Sequence, residues 1–405
     1  MINRINSEEL IILRQINLKR HFEPKLKLSP VSWNDFTFWI IHLGLGQLIY
    51  SNLKLTGNKD LFPTENYNRL QQFYYFNLKR NVHIQQIFYE VASVAAKHNI
   101  QLVALKGIYM IDNYYKDIAI RQLSDIDVLV KPEDGKKLLE LLKKNGFVKR
   151  NETADFVSDN REIVHYHAMI KECVSVEVHI KLHRAIESYH IDTEACFLRL
   201  RPVAKDNVSY FALNKIDHLI FSVIHLDRHF NQGGIQFSGY MDLVNLITDL
   251  TDEEWTKIIN RCEEYNCVRE FFRHVILVNK YMDVNIPLFI IQKFNELDNI
   301  NTELRFYEYL KGKRLFISGV PNHLSSMKLL PNRKKIQYIW HAVFPSKYFM
   351  IEKYGLKNNI YQTSVNCEDN QLFFSKYKFK FWWLWYPYRW GIGVRGIIEL
   401  IRKKQ

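Results

Sequence analysis

Arg121-Gln122-Leu123-Ser124-Asp125-Ile126-Asp127-Val128 decides how this chain is read. Two carboxylates stand two residues apart on an apolar run that continues through Leu129 and Val130. Alternate side chains of a β-strand share a face, so Asp125 and Asp127 point one way while Ile126, Val128 and Val130 point into a core. Like charges held side by side repel, and a divalent cation is the natural neutraliser of such a pair. An amphipathic edge strand with solvated aspartates is the competing reading of the same residues.

Upstream, Ile100 to Leu105 reads as a short buried strand that runs into Lys106-Gly107 and then a helical pattern from Ile108 to Tyr115. A strand turning through glycine into a helix offers free backbone N–H groups and a positive dipole end, which suits phosphate, and Lys106 adds a point charge there. Downstream, Lys131-Pro132 ends the strand, Asp134 is expected to cap the next helix, and Gly146 closes it after leucines 138, 139, 141 and 142. A third carboxylate follows in Val174-Ser175-Val176-Glu177-Val178-His179-Ile180, whose alternation puts Glu177 and His179 on one face. Ile163 to Met169 alternates too, with Ile170 to Cys173 as a hairpin turn. A three-residue loop sets His167 opposite Glu177 and His165 opposite His179; a two-residue loop turns the histidines away.

Strand, glycine turn, helix, Asp-x-Asp strand and a later carboxylate together resemble the polymerase beta-like nucleotidyltransferase superfamily. The wording is similar to its large uncharacterised bacterial branch: Leu105-Lys106-Gly107, Tyr114, Arg121, Asp125-Ile126-Asp127, Glu177 and His179, then His225 and His229 followed by Asp242-Leu243. The resemblance covers roughly residues 30 to 250. Lys106-Gly107 departs from the superfamily's usual glycine-serine turn, so the lysine replaces the hydroxyl as phosphate ligand or the nucleotide sits differently. The resemblance implies that Asp125, Asp127 and Glu177 form the catalytic, metal-holding set with two magnesium ions. It also implies that Lys106, Gly107 and Arg121 bind the nucleotide, with Arg121 able instead to anchor its loop.

His225 and His229 stand four apart on one helical face. Without a clear third ligand they read as substrate contacts or packing, as do His167 and His179. The chain has 405 residues, 47% of them apolar, enough for a sizeable core. Five cysteines, an odd number without CxxC pairs, suggest neither a disulfide framework nor zinc. The Met1-Ile2-Asn3-Arg4 start has no apolar signal core, so a cytoplasmic protein is expected. The uncharged run from Phe36 to Leu53 carries Thr37, His42, Gln47, Ser51 and Asn52 and reads as a buried helix, not a membrane span.

The expected class is α+β: a helical lobe over residues 1–90, a small mixed-sheet core over 91–210, a helical region over 211–300 and a carboxyl-terminal region over 301–405. From Gln371 to Gln405, eight Lys or Arg and eleven aromatics face the single acid Glu399. Residues 376–404 read first as a tail packed on the protein's own lobe with its basic residues outward; an anionic membrane surface, at the inner face, is the second reading and RNA the third. The net charge of +13 fits any anionic partner. The expected activity is magnesium-dependent transfer of a nucleoside monophosphate from a nucleoside triphosphate to an acceptor that the sequence does not identify. A glycosyltransferase with an Asp-x-Asp metal site, and a noncatalytic membrane-associated binding protein of the same fold, are the rivals; the first needs a longer α/β region before Asp125.

Overall fold

The computed structural model describes residues 7–16, 30–149, 164–166, 168–183, 187, 189–205, 208–231, 234–294, 300–311, 340, 343–344, 387, 390–391 and 393–394. The expectations for His167 and for most of the 376–404 tail fall outside these residues. The chain divides into two compact units, one of residues 1–150, 163–183 and 188–315, the other of 151–162, 184–187 and 316–405. In the second unit, Trp340 packs on Phe344 with ring centroids 4.6 Å apart, and the Trp390 indole N–H donates to the Val343 carbonyl at 3.1 Å.

The first unit is α+β. Among the described residues its strands are β1 (Val103–Leu105), β2 (Ile126–Leu129), β3 (Val148–Lys149), β4 (Met169–Lys171), β5 (Val174–His179), β6 (Arg201–Lys205) and β7 (Val208–Ala212). They form one mixed sheet in the order β3-β4-β5-β2-β1-β7-β6. β2 runs antiparallel to β1 and parallel to β5. An interior strand covered on both faces buries every residue, which is why Ile126, Val128 and Leu129 are all fully buried and Asp127 is only 5% exposed. The edge-strand reading of the aspartates is therefore overturned.

The β4–β5 hairpin turns on two residues, Glu172 and Cys173, not three. Both take positive φ, 48° and 65°, as a type I′ turn requires. Met169 pairs with Val176, yet His165 bridges His179. Four steps on one strand thus match three on the other, and a bulge restores the His165–His179 pairing that a two-residue turn alone would lose. Cys173 is disulfide-bonded, contrary to the expectation from cysteine spacing, which carries no information about proximity in space.

Helices surround the sheet. The uncharged run is two helices, Pro30–His42 and Gly46–Thr56, because Gly44 takes φ +72° and breaks the first; Phe38 is 68% exposed. Among the described residues no helix is long and apolar enough to cross a membrane. The helix Pro132–Lys144 starts one turn earlier than a cap at Asp134 implies: Pro132 occupies the first helical position, and Asp134 sits in the first turn, where its charge favours the dipole. The helix Asp252–Glu264 opens with a capping box between Thr251 and Glu254.

The long helix Thr64–Lys97 shows why the sheet lies where it does. Leu70, Ile84, Ile87, Phe88 and Val91 are buried as apolar spacing dictates, but Phe73 is 40% exposed and the inward positions between are Asn77 and Asn81. Asn77 Nδ2 donates to the carbonyls of Ala119 and Arg121 at 2.6 and 3.1 Å; Asn81 Nδ2 donates to those of Ile118 and Arg121 at 2.6 and 2.7 Å. The lead-in to the Asp-x-Asp strand has few ladder partners of its own, and two buried amides satisfy it.

His218 gives the first unit a measurable acid sensitivity. It is fully buried with no hydrogen-bond partner on either ring nitrogen among the described residues, 4.3 Å from the Tyr109 ring, and burial holds its pKa down to about 3. The unfolded imidazole binds its proton near pH 6.5, so the unfolded state holds more protons between pH 6.5 and 3 and stability falls as pH drops through that window. His218→Phe is expected to flatten this dependence, retaining on the order of 3 kcal/mol more stability at pH 4 than the parent relative to pH 7.5. Thermal melts at the two pH values check it, and parallel pH curves for both proteins would refute the assignment.

Candidate functional site

Register alone assembles the centre. Asp127 pairs with Leu105 of β1 on one side and Glu177 of β5 on the other, and Leu129 pairs with His179. The parallel β2–β5 pairing therefore brings Asp127 beside both functional side chains of β5. Asp127 Oδ1 accepts from Lys106 Nζ and from His179 Nε2, each at 2.8 Å. Glu177 Oε2 lies 3.9 Å from His179 Nε2 and 3.9 Å from His165 Nδ1. Asp125, just before β2 and partly exposed, accepts from the Ser124 hydroxyl at 2.7 Å.

These neighbours split the acidities. Burial alone would raise Asp127, but the Lys106 ammonium and the His179 hydrogen bond hold it well below the usual carboxylate range. Asp125 and Glu177 go the other way, pushed up by burial and then by the Asp127 charge. His179 is held down to about 4 by burial, against the pull of Asp127, and so is neutral at pH 7. One ammonium does not settle three crowded carboxylates. The donor set fits a divalent cation: ligand atoms of Asp127, Glu177 and His179 all lie within 4.8 Å of one another. Asp125 stands outside that group while sharing its electrostatics.

Lys106 holds φ +50°, in the left-handed region that lysine seldom visits, at the junction of β1 and the helix Lys106–Asn113. Gly107 is required by close approach: a Cβ there would meet Arg121 Nη1 at 2.5 Å and Leu123 Cδ2 at 2.6 Å. Arg121 is itself buried. Its Nε and Nη2 donate to Asp242 Oδ1 and Oδ2 at 2.7 and 2.6 Å, and Nη1 donates to the Gln122 carbonyl at 2.9 Å. Tyr115 donates its hydroxyl to the same Asp242 at 2.9 Å. Arg121 thus lies behind the Asp-x-Asp loop, bidentate to a carboxylate of the helix Phe237–Ile247.

The helix Lys215–Asn231 covers the Lys106 side. Phe221 places its ring 5.9 Å from Lys106 Nζ, and His225 and His229 follow on the same face with their Nε2 atoms 3.0 Å apart. Both imidazoles are pushed down by burial and next by the Lys106 charge, His229 to about 4, so they are neutral neighbours of the centre. No group of three ligands that includes them is found among the described residues. His183 packs against His190, ring centroids 4.4 Å apart. Asn77 and Asn81 carry no signal in the sequence beyond an interrupted apolar stripe; Asp242 was visible through its Asp-Leu context.

A family model described as an uncharacterised nucleotidyltransferase matches residues 29–283. Among solved structures, the chain is similar to a crystal structure of an antigenic nucleotidyltransferase-like protein from Paracoccidioides brasiliensis. The match has 11% identity and a TM-score of 0.28, covering 50% of this chain and 93% of that one. No curated protein matches.

Proposed function

The chain belongs to the uncharacterised nucleotidyltransferase family, and from that premise we propose that it is a metal-dependent enzyme moving a nucleoside monophosphate from a nucleoside triphosphate to an acceptor hydroxyl. The observation that carries this reading is the register that sets Asp127 beside Glu177 with His179 and Lys106 on the same carboxylate. Asp125, Asp127 and Glu177 are the proposed metal-holding residues, with His179 completing the donor set. Divalent cations bound there, two magnesium ions in this proposal, would offset charge on the phosphates and favour departure of pyrophosphate.

The chain's own residues do the rest. Lys106 Nζ, held at the mouth of the β1–helix turn, binds phosphate oxygen. Arg121, braced by Asp242, fixes the loop that aims Asp125. Glu177, whose pKa burial and Asp127 push up, accepts the acceptor's proton. The acceptor oxygen then bonds to the α-phosphorus as the bond from that phosphorus to the bridging oxygen breaks, and pyrophosphate leaves. His225 and His229 line the Lys106 side as neutral donors or acceptors toward substrate.

A glycosyltransferase is disfavoured, because β1 is the only strand before β2 among the described residues and helices fill residues 30–97. Incubating the full chain with each α-labelled ribonucleoside triphosphate, magnesium and a cell extract tests the proposal. Label transferred to a macromolecule or metabolite supports it, and no transfer with any of the four favours a noncatalytic binding protein. Lys106→Ala is expected to weaken triphosphate binding by about 10-fold or more, as loss of a charged hydrogen bond does, without altering acceptor affinity. Calorimetric titration giving the same nucleotide affinity would remove Lys106 from the site.

A further inference from the structure

We propose that Arg80, beside the Asp125 edge of the centre, is a ligand for the β- and γ-phosphates of the nucleoside triphosphate, an inference that rests on the nucleotidyltransferase reading. Arg80 lies on the helix Thr64–Lys97 three residues after Asn77 and one before Asn81. Those two asparagines pin the helix to the carbonyls of Ile118, Ala119 and Arg121, the segment that ends at Asp125. The docking fixes which flank of the helix Arg80 occupies.

Its surroundings are unlike those of four arginines of the same unit. Fully buried Arg121 and partly buried Arg199, Arg261 and Arg273 each form an ion pair with an aspartate. Arg80 is partly buried, yet makes no hydrogen bond and no ion pair among the described residues; the charged group it interacts with is Asp125. Burial pulls its pKa down, the mark of a cation losing water without a full replacement. Keeping a guanidinium in that state costs stability, and a fold gains by it only when an anion supplies the missing bonds. A guanidinium grips two phosphate oxygens in one plane, whereas Lys106 offers a point charge at Asp127. Two cations at the two aspartates match the spread charge of a triphosphate better than the single charge centre of a monophosphate.

Titration calorimetry on the full chain with magnesium separates the possibilities. The probes are inorganic tripolyphosphate, the four ribonucleoside triphosphates and the four monophosphates. Arg80→Gln is expected to weaken tripolyphosphate and triphosphate binding by about 10- to 100-fold, leave monophosphate binding unchanged, and leave the melting temperature equal or higher. Arg80→Lys should recover part of the lost affinity. Equal tripolyphosphate affinity in the parent and Arg80→Gln overturns the inference, as does an equal loss for mono- and triphosphates. A parent protein that binds no triphosphate overturns the nucleotidyltransferase reading itself.

Discussion

Asp127→Asn is expected to reduce nucleotidyl transfer by roughly 10²- to 10³-fold or more, the scale of removing one organising charge from a polar active site. It should also weaken the fold. The Asp127 carboxylate is 5% exposed and accepts from Lys106 and His179 through one oxygen, so the amide leaves the mostly buried ammonium of Lys106 without its counter-charge. A loss of about 1–3 kcal/mol follows from an unmatched buried charge. Asp125→Asn separates the two effects. Burial and the Asp127 charge already push the Asp125 carboxyl toward its neutral form, so the amide relieves repulsion and should leave the melting temperature unchanged or raised while transfer is lost. Transfer assays and thermal melts on both variants decide it. Activity kept in either variant would end the metal assignment, and equal destabilisation by both would contradict the described electrostatics.

Asp242→Ala is expected to be the most damaging substitution for stability, at about 3–5 kcal/mol, because it strands a fully buried guanidinium. Arg121 gives two hydrogen bonds to Asp242, a third to the Gln122 carbonyl, and its own carbonyl takes Asn77 and Asn81. Losing Asp242 therefore loosens the segment that aims Asp125, and transfer should fall although Asp242 is not among the proposed substrate ligands. Pairing the change with Arg121→Met should recover much of the stability, since an apolar pair removes the stranded charge, but not the activity. Urea unfolding midpoints measure the first quantity. A shift of Asp242→Ala below about 1 kcal/mol would show that the pair is not the brace described.

How much was legible in the sequence follows from which forces are local. Period-two spacing put Asp125 with Asp127 and Glu177 with His179, and the strand, glycine turn and helix around Lys106 are encoded within a dozen residues. The register that joins these pieces is not local. Glu172 and Cys173 are not the residues that type I′ turns favour, so the turn length and the bulge that corrects it were invisible. Asn77, Asn81 and Arg80 interrupt an apolar stripe in a way that looks like an ordinary solvated face, and only the partner loop reveals that the amides are inside. Gly107 was read as a phosphate amide, while the structure gives it a packing duty against Arg121. The likeness of Asp125 and Asp127 in sequence likewise concealed that one is clamped well below the usual carboxylate range and the other, partly exposed, is pushed up by burial.

If the centre takes the proposed divalent cation, the Lys106–Asp127 contact would make it behave as an ion exchanger. An ammonium 2.8 Å from Oδ1 and an incoming divalent cation are rival tenants of one oxygen, so either weakens the hold of the other. A polyphosphate that draws Lys106 away removes the rival, and by reciprocity the cation tightens the polyphosphate by the same factor. On the proposed reading, loading would be cooperative between two ligands of opposite sign, with a single side chain as the exchangeable counter-ion. In Lys106→Ala the rivalry disappears, and metal affinity should no longer depend on whether tripolyphosphate is present beyond their direct attraction.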